Sequence, residues 1–521
     1  MFISEKKLSF PVLLALFILV SISTYFLKPS QHFAHIELTS PSRVNASFIW
    51  QASPSKTLCQ ERLVHLIHHS MGLCPDCKVQ QQTCLANLNE TQEKALSNKP
   101  LDFPSIQLHD GRAYFQSVQP QLALKTCEAA AKFIDHGQLL TCVTAKTLSP
   151  YAVHERLNFI QSIKVTFTSL LIAALSSWFA CLLIVRKTNL QKITHSTLQP
   201  NVQKMHHWPT PRTGGLALFA SLLCSLIVEK FFHLIAPHNP TSTSFFLLAG
   251  LPVFFAGVME DIANNFGARE RLVFSGLSAA LGIVLFGYLI NQTDIGLLDN
   301  FLMLSSLAIG FTILGVSGFS NATNIIDGYN GLSSGYGVIA LTAMAVIAFQ
   351  LNDHLILYAS VSLIGALLGF LYWNWPNGKL FLGDGGAYLM GFIMAELAVV
   401  MLGRNHLVSP WFTAMIMAYP IFETLFTIFR RLRIKNSSMH PDASHFHHLI
   451  YFKLLRAKQF NDPDKLMQLN NRVALLLLLP AILAAILACL FWDSTAILMP
   501  LTLAGCVIYA LAYRKLLSLP N

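Results

Sequence analysis

Twelve runs of about 20 apolar residues recur along the chain, each long enough to carry a helix across the ~30 Å hydrocarbon core of a bilayer. They fall near 9–27, 164–185, 214–235, 243–259, 272–290, 301–320, 333–350, 355–373, 386–403, 410–429, 474–491 and 495–513. In hydrocarbon a segment must satisfy its own backbone hydrogen bonds, so runs of this length read as helices. The expected fold is an all-α polytopic membrane protein with about 12 transmembrane helices. Composition agrees, since only 12% of the 521 residues are charged where a soluble domain would carry about 25%.

An even number of spans places both termini on one side, and the distribution of Lys and Arg decides which side that is. With a cytoplasmic N-terminus the inside segments hold 21 Lys and Arg, nine of them in 430–472, and the short outside loops hold only Arg404. The net charge of +10 is therefore largely a topology signal. A nucleic-acid partner is not expected, because the basic residues are scattered between apolar runs and not gathered beside a reading surface.

Residues 1–27 begin with Lys6 and Lys7 and then an apolar run longer than the 7–15 residues of a signal peptide, with no small-residue cleavage pattern. They are expected to remain as a membrane anchor. Residues 28–163, with 12 Lys/Arg and 10 Asp/Glu, should form a single extra-cytoplasmic domain between the first two spans. Residues 164–521 should form the multi-helix remainder with its working loops in the cytoplasm. Six of the ten cysteines lie in the outer domain: Cys59, Cys74, Cys77, Cys84, Cys127 and Cys142. On an oxidising side they allow up to three disulfides in 15 pairings. The pair in CPDC (74–77) could instead be redox-active or bind zinc, although no second pair at matching spacing accompanies it.

Ionisable residues at membrane depth are costly and default to functional candidates, and here five polar motifs all fall in segments that the charge rule places inside. PTPRTGG (209–215), preceded by His206 and His207, combines an extended Pro-Thr-Pro approach with glycines that permit close backbone contact. Arg212 could hold a phosphate bidentately or simply mark topology. In EDIANN (260–265), the adjacent carboxylates Glu260 and Asp261 repel unless a cation relieves them, and Arg269 with Arg271 could form a structural patch that does so. In NATNIIDGYNG (321–331), Asn321, Asn324 and Asp327 would share one helical face. Such oxygen donors suit Mg²⁺, which keeps waters and takes one or two carboxylates plus substrate phosphates, but a structural cap is also open. FLGDGG (381–386) places Asp384 at a helix start, where it could equally be an N-cap. The loop 430–472 carries Arg430, Arg431 and Arg433 and then HPDASHFHHLI (440–450), whose His445, His447 and His448 lack zinc spacing and better suit phosphate or sugar contacts. Together the kit fits metal-assisted transfer of a phosphoryl group at a bilayer surface.

In this order between spans, PTPRTGG, EDIANN, NATNIIDGYNG, FLGDGG and HFHH resemble the motifs of the polyprenyl-phosphate N-acetylhexosamine-1-phosphate transferases, over roughly residues 160–515. The resemblance implies a UDP-N-acetylhexosamine donor and undecaprenyl phosphate as acceptor. The lipid phosphate would attack the β-phosphorus with Mg²⁺, or Mn²⁺ in its place, release UMP and begin a lipid-linked envelope glycan such as O-antigen. It further implies a bacterial inner (plasma) membrane with residues 28–163 periplasmic, and it allows a homodimer. Carried over by position, Asp384, Asp327 and Asn324 would surround the metal, and Asp261, Glu260 and Asp327 would serve catalysis. Arg212, His206, Asn321, Asn330, His445, His447 and His448 would contact substrate, with Asn330 standing where lipid I-forming relatives place an Asp near the uracil.

Several positions depart from the family pattern: Glu260 replaces the first Asp of the usual pair, Glu423 in YPIFETLF stands where many relatives have Asp, and Gln203 replaces a frequent Arg. HFHH in place of three consecutive His favours the sugar-lipid branch over the phospho-MurNAc-pentapeptide branch. A lipid transporter or flippase, a rival of a different class, would place its charges near the midplane and show paired broken helices.

Overall fold

The computed structural model describes residues 32–39, 45–53, 60, 63, 78–85, 92, 105–108, 111–116, 127, 134–135, 138–139, 142–143, 159–188, 210–231, 244–263, 267–351, 353–405, 407–434, 445–455, 459–460 and 462–519. The chain divides into two compact units, 26–158 and the remainder. The first apolar run (9–27), CPDC, Gln203, His206 and His207 lie outside the described residues.

The smaller unit holds a six-stranded antiparallel sheet. Its strands are β1 (His32–Thr39), β2 (Asn45–Ser53), β3 (Lys78–Leu85), β4 (Ser105–Leu108), β5 (Gly111–Gln116) and β8 (Cys142–Val143), in the order β3-β1-β2-β5-β4-β8. A separate two-stranded ladder pairs β6 (Ile134–Asp135) with β7 (Gln138–Leu139). Ala34, Ile36 and Leu38 alternate along β1 and are fully buried, as the period of two of a strand with one covered face requires. Ile36 sits opposite Phe48 of β2, which is also buried. Cys84 and Cys127 are each disulfide-bonded.

The larger unit is helical: α1 (Phe159–Thr188), α2 (Gly214–Phe231), α3 (Ser244–Ala263), α4 (Ala268–Phe286), α5 (Gly296–Leu302), α6 (Ser305–Ile325), α7 (Leu332–Gln350), α8 (His354–Asn374), α9 (Gly383–Arg404), α10 (Pro410–Ile416), α11 (Ala418–Ile434), α12 (Phe446–Leu449), a π-helical turn (Ile450–Leu454), α13 (Pro463–Leu490) and α14 (Thr495–Ser518). Helix α9 is the axle. It is buried along nearly its whole length and packs against α2, α3, α4, α6, α7 and α8. Gly391 explains part of this closeness, because a Cβ there would lie 2.1 Å from the Thr323 hydroxyl of α6. Outside this core, Leu175, Val273, Val284, Leu314 and Leu511 are among many large apolar side chains left exposed, the surface that lipid chains cover.

Among the described residues, seven helices are long and apolar enough to cross a membrane, or nine if two bent pairs each count as one span. The chain is thus a multi-pass membrane protein, with fewer such spans in view than the twelve apolar runs. The run 301–320 is not one rod: α5 and α6 meet at 111°. The run 410–429 breaks at Met417, where α10 and α11 meet at 75°. Apolar residues at a sharp bend look the same in sequence as apolar residues in a straight span. The stretch of α2 that is apolar, Gly214–Val228, is also short for a crossing, and α4 begins with Arg269, Glu270 and Arg271.

Candidate active site

The site begins with a backbone pairing between two of the polar motifs. The Phe381 amide donates to the Pro211 carbonyl (2.9 Å), the Gly214 amide to the Phe381 carbonyl (2.9 Å) and the Gly215 amide to the Leu382 carbonyl (2.8 Å). PTPRTGG and FLGDGG therefore lie side by side at the starts of α2 and α9. Glycine is required on both sides of this seam. A Cβ on Gly215 would sit 2.3 Å from the Gly386 nitrogen, and Gly383 adopts φ +75° with the Arg212 carbonyl 2.2 Å from where a Cβ would be. That left-handed conformation is one that L side chains avoid.

Helix α9 has no side-chain cap of its own, and α3 supplies one from its C-terminal end. Asp261 accepts from the Asp384 amide (2.9 Å, Oδ1) and the Gly385 amide (3.0 Å, Oδ2). A carboxylate at these first-turn amides answers both the orphan donors and the positive end of the helix dipole. Asp384, freed from capping, points to two guanidinium groups: Arg212 Nη2 donates to Oδ1 at 3.2 Å, and Arg271 Nη1 of α4 donates to Oδ2 at 3.4 Å. Arg212 Nε also lies 3.9 Å from Asp261 Oδ1. Glu260 acts electrostatically on Arg271.

The turn after α6 brings Asp327 into the same field. Burial pushes its carboxyl well above the usual carboxylate range; Arg212 opposes this, and the charges of Asp384 and Asp261 add to it. Asn324 donates to the Tyr388 hydroxyl (2.9 Å), one turn beyond Asp384 on α9. The end of α6 is stitched to α9 by Ser320 donating to the Tyr388 carbonyl and Thr323 to the Ala387 carbonyl, each at 2.9 Å.

The histidine segment meets the same turn from the other side. The Tyr329 hydroxyl is 3.1 Å from His448 Nδ1, and the Tyr329 ring packs edge-on against His447 at 5.4 Å. The His445 and His447 rings stack at 5.3 Å. His447 is fully enclosed, and burial, with His448 and His445 beside it, holds its pKa well below that of an exposed imidazole. His445 Nδ1 donates to Glu423 Oε1 on α11 at 2.9 Å.

The motifs thus converge, but not every candidate residue faces the cluster. Asn321 ties α6 to α4 by donating to the Ser275 hydroxyl (3.0 Å) and to the Ser317 carbonyl of its own helix (2.8 Å). Asn330 is buried; its side-chain amide donates to the Pro376 carbonyl (3.2 Å), its backbone amide donates to Asn470 of α13 (3.0 Å), and its Oδ1 has no partner among the described residues. Sequence reasoning read Arg271 as a neutralising charge only. It did not single out Tyr388 or Tyr329, whose spacing carries no signal because their roles depend on neighbours remote in the chain.

Glu260, Asp261, Asp327 and Asp384 gather four carboxyl groups around Arg212 and Arg271, and a divalent cation bound among them would favour the ionised form of the buried Asp327. Among the described residues no three His, Cys, Asp or Glu side chains form a ready ligand set. Mg²⁺ needs only one or two carboxylates and fills its shell with water and phosphate oxygens, so Asp384 and Asp327 are the residues that could hold it.

Comparison with known proteins gives the family. Glycosyl transferase family 4 matches residues 243–402, a range that contains Asp261, Asp327 and Asp384. A probable undecaprenyl-phosphate N-acetylglucosaminyl 1-phosphate transferase of Bacillus subtilis (strain 168) is 31% identical over 251 residues, covering 48% of this chain and 68% of the relative. The decaprenyl-phosphate N-acetylglucosaminephosphotransferase of Mycobacterium leprae is 29% identical over 306 residues, 53% of this chain and 75% of the relative. An undecaprenyl-phosphate alpha-N-acetylglucosaminyl 1-phosphate transferase of Thermotoga maritima is 27% identical over 263 residues, 49% and 73% of the two chains. With its motifs brought together at the ends of α2, α3, α6 and α9, the chain belongs to the polyprenyl-phosphate N-acetylhexosamine-1-phosphate transferases of glycosyl transferase family 4.

Proposed function

We propose that this protein transfers N-acetylglucosamine 1-phosphate from UDP-N-acetylglucosamine to undecaprenyl phosphate, releasing UMP, at the cytoplasmic face of a bacterial inner membrane. The product would begin a lipid-linked envelope glycan such as O-antigen. The observation that carries this reading is the seam of PTPRTGG against FLGDGG, which sets Arg212, Asp261 and Asp384 together at the starts of α2 and α9 and the end of α3. The names of the relatives supply the lipid phosphate and the sugar.

The residues divide the work. A phosphate monoester is already anionic near neutral pH, so the protein's task is to position two anions and offset their charge. Arg212 and Arg271 present guanidinium groups that can turn from Asp384 to phosphate oxygens. Asp261 positions the Asp384 turn through its two backbone bonds, and Glu260 steadies Arg271. Asp384 and Asp327, with Asn324 beside them, would hold Mg²⁺, which supplies electrostatic stabilisation of the pyrophosphate when bound. His445, His447 and His448 would bound the donor's phosphates, sugar and base.

The test is UMP release by purified protein with undecaprenyl phosphate and Mg²⁺, offered separately UDP-N-acetylglucosamine, UDP-N-acetylgalactosamine and UDP-MurNAc-pentapeptide. UMP from the first donor, dependent on both lipid and metal, is expected. UMP only from the pentapeptide donor, or from none, would refute the reading.

A further inference from the structure

Glu423 is a carboxyl group that the motif chemistry leaves unexplained. It sits on α11 just after the 75° bend and is 1% exposed. Oε1 accepts from His445 Nδ1 (2.9 Å) and the Phe446 amide (3.1 Å). Oε2 accepts from the Tyr509 hydroxyl of α14 (2.9 Å) and, more weakly, from the Phe446 amide (3.3 Å). A buried carboxylate is costly unless paired and hydrogen-bonded, and this one gathers donors from two elements, α12 and α14, that are distant in sequence from α11.

The arrangement has a direction. His445 begins the α12 turn with no side-chain cap, so Glu423 serves as cap and ring anchor together. An ionised carboxylate only accepts, so the His445 Nδ1 facing it carries the proton. Nε2, on the far side of the ring, is then the nitrogen left to meet a ligand. The side chain of His445 is 11% exposed, the ring stacks on His447, and the Thr427 hydroxyl, 3.4 Å from Nδ1, closes the same edge. The bend between α10 and α11 thus has a purpose: it delivers Glu423 beneath the histidine segment.

Resting on the transferase reading above, we propose that Glu423, steadied by Tyr509 from the last helix, is a positioning residue that fixes His445 in its Nδ1-protonated form and leaves the Nε2 lone pair to accept from a hydroxyl or acetamido N–H of the nucleotide sugar. It touches no substrate and acts only through the ring.

Two measurements test this. In UMP-release kinetics, Glu423→Gln should lower kcat by about 10- to 100-fold, the range seen when a carboxylate orienting a functional histidine is lost, with KM near wild type. Tyr509→Phe should lose about 2- to 10-fold, and Glu423→Asp should recover part of the loss. In a His445→Ala background Glu423→Gln should cause no further drop; an additive loss would overturn the proposal. The second measurement needs no turnover. In ¹⁵N-histidine-labelled wild-type protein, with His445 assigned by its absence in His445→Ala, the signal should be that of a ring protonated at Nδ1. A ring protonated only at Nε2 overturns the positioning role, whereas inactivity on every donor would overturn the transferase reading and leave this result to stand by itself.

Discussion

Two glycines on one face of α3, Gly250 and Gly257, make an internal control for how tightly the site is built. Both face α9, but a Cβ would meet different things. At Gly250 it would lie 2.9 Å from Leu389 Cδ1, the end of a side chain that can turn aside. At Gly257 it would lie 2.5 Å from the Gly385 Cα and 2.6 Å from its nitrogen, backbone that cannot. Replacing Gly by Ala in a helix gains about 1 kcal/mol of intrinsic propensity, and overpacking costs about 1–3 kcal/mol. At Gly250 the two nearly cancel. At Gly257 the strain wins, because reaching ordinary contact at 3.4 Å requires α3 and the α9 turn to part by about 0.9 Å. Asp261 stands one turn beyond Gly257, and its bonds of 2.9 and 3.0 Å to the Asp384 and Gly385 amides would stretch beyond hydrogen-bond reach. A misplacement near 1 Å costs about 100-fold in rate. In the UMP-release assay Gly257→Ala should therefore lose about 100-fold in kcat/KM and Gly250→Ala should stay within about threefold of wild type. Equal rates for the two variants would refute the claim that the α3–α9 seam sets the catalytic geometry.

Other consequences are open to direct test. Asp384→Asn removes the charge held by Arg212 and Arg271 and should lower turnover at least about 100-fold while the protein still inserts and purifies; near-normal turnover would take Asp384 out of the site. Asp261→Ala leaves two amides at the start of α9 without their acceptor and should destabilise the protein by about 1–3 kcal/mol, read as a lower thermal midpoint in detergent; an unchanged midpoint would deny the capping role. Because burial holds the His447 pKa down, the unfolded chain takes up this proton first as pH falls below about 6.5. Stability should then be full above that pH and decline on acidification. The thermal midpoint of wild type should fall more between pH 7 and 5 than that of His447→Gln, and parallel slopes would count against a neutral, buried His447.

The polar motifs were legible in the sequence because charges and glycines are rare in these apolar surroundings. Asp261, Asp327 and Asp384 stand out for that reason, and the structure places them in one electrostatic field. Their division of labour was not legible. Asp384 opens a helix and reads as its N-cap, yet the cap is Asp261, 123 positions away. Arg271 reads as one of two loop charges, and only the folding of α4 onto α9 brings it to Asp384. The bends at 302–305 and 416–418 were hidden for a related reason: hydropathy averages over a window and contains no angle. The β-sheet of the smaller unit left its alternation in β1, Ala34, Ile36 and Leu38, but a composition reading of 28–163 passes over a period of two.

The central claim is that the bond broken is the pyrophosphate of the nucleotide sugar and that the lipid keeps the sugar's phosphate. Mass spectrometry of the lipid product, made with UDP-N-acetylglucosamine and undecaprenyl phosphate, decides this. Undecaprenyl diphosphate carrying N-acetylglucosamine, formed in equal amount with UMP, is the result predicted. A sugar joined through a single phosphate, with UDP released, would mean that the sugar–phosphate bond is cleaved and would contradict the account.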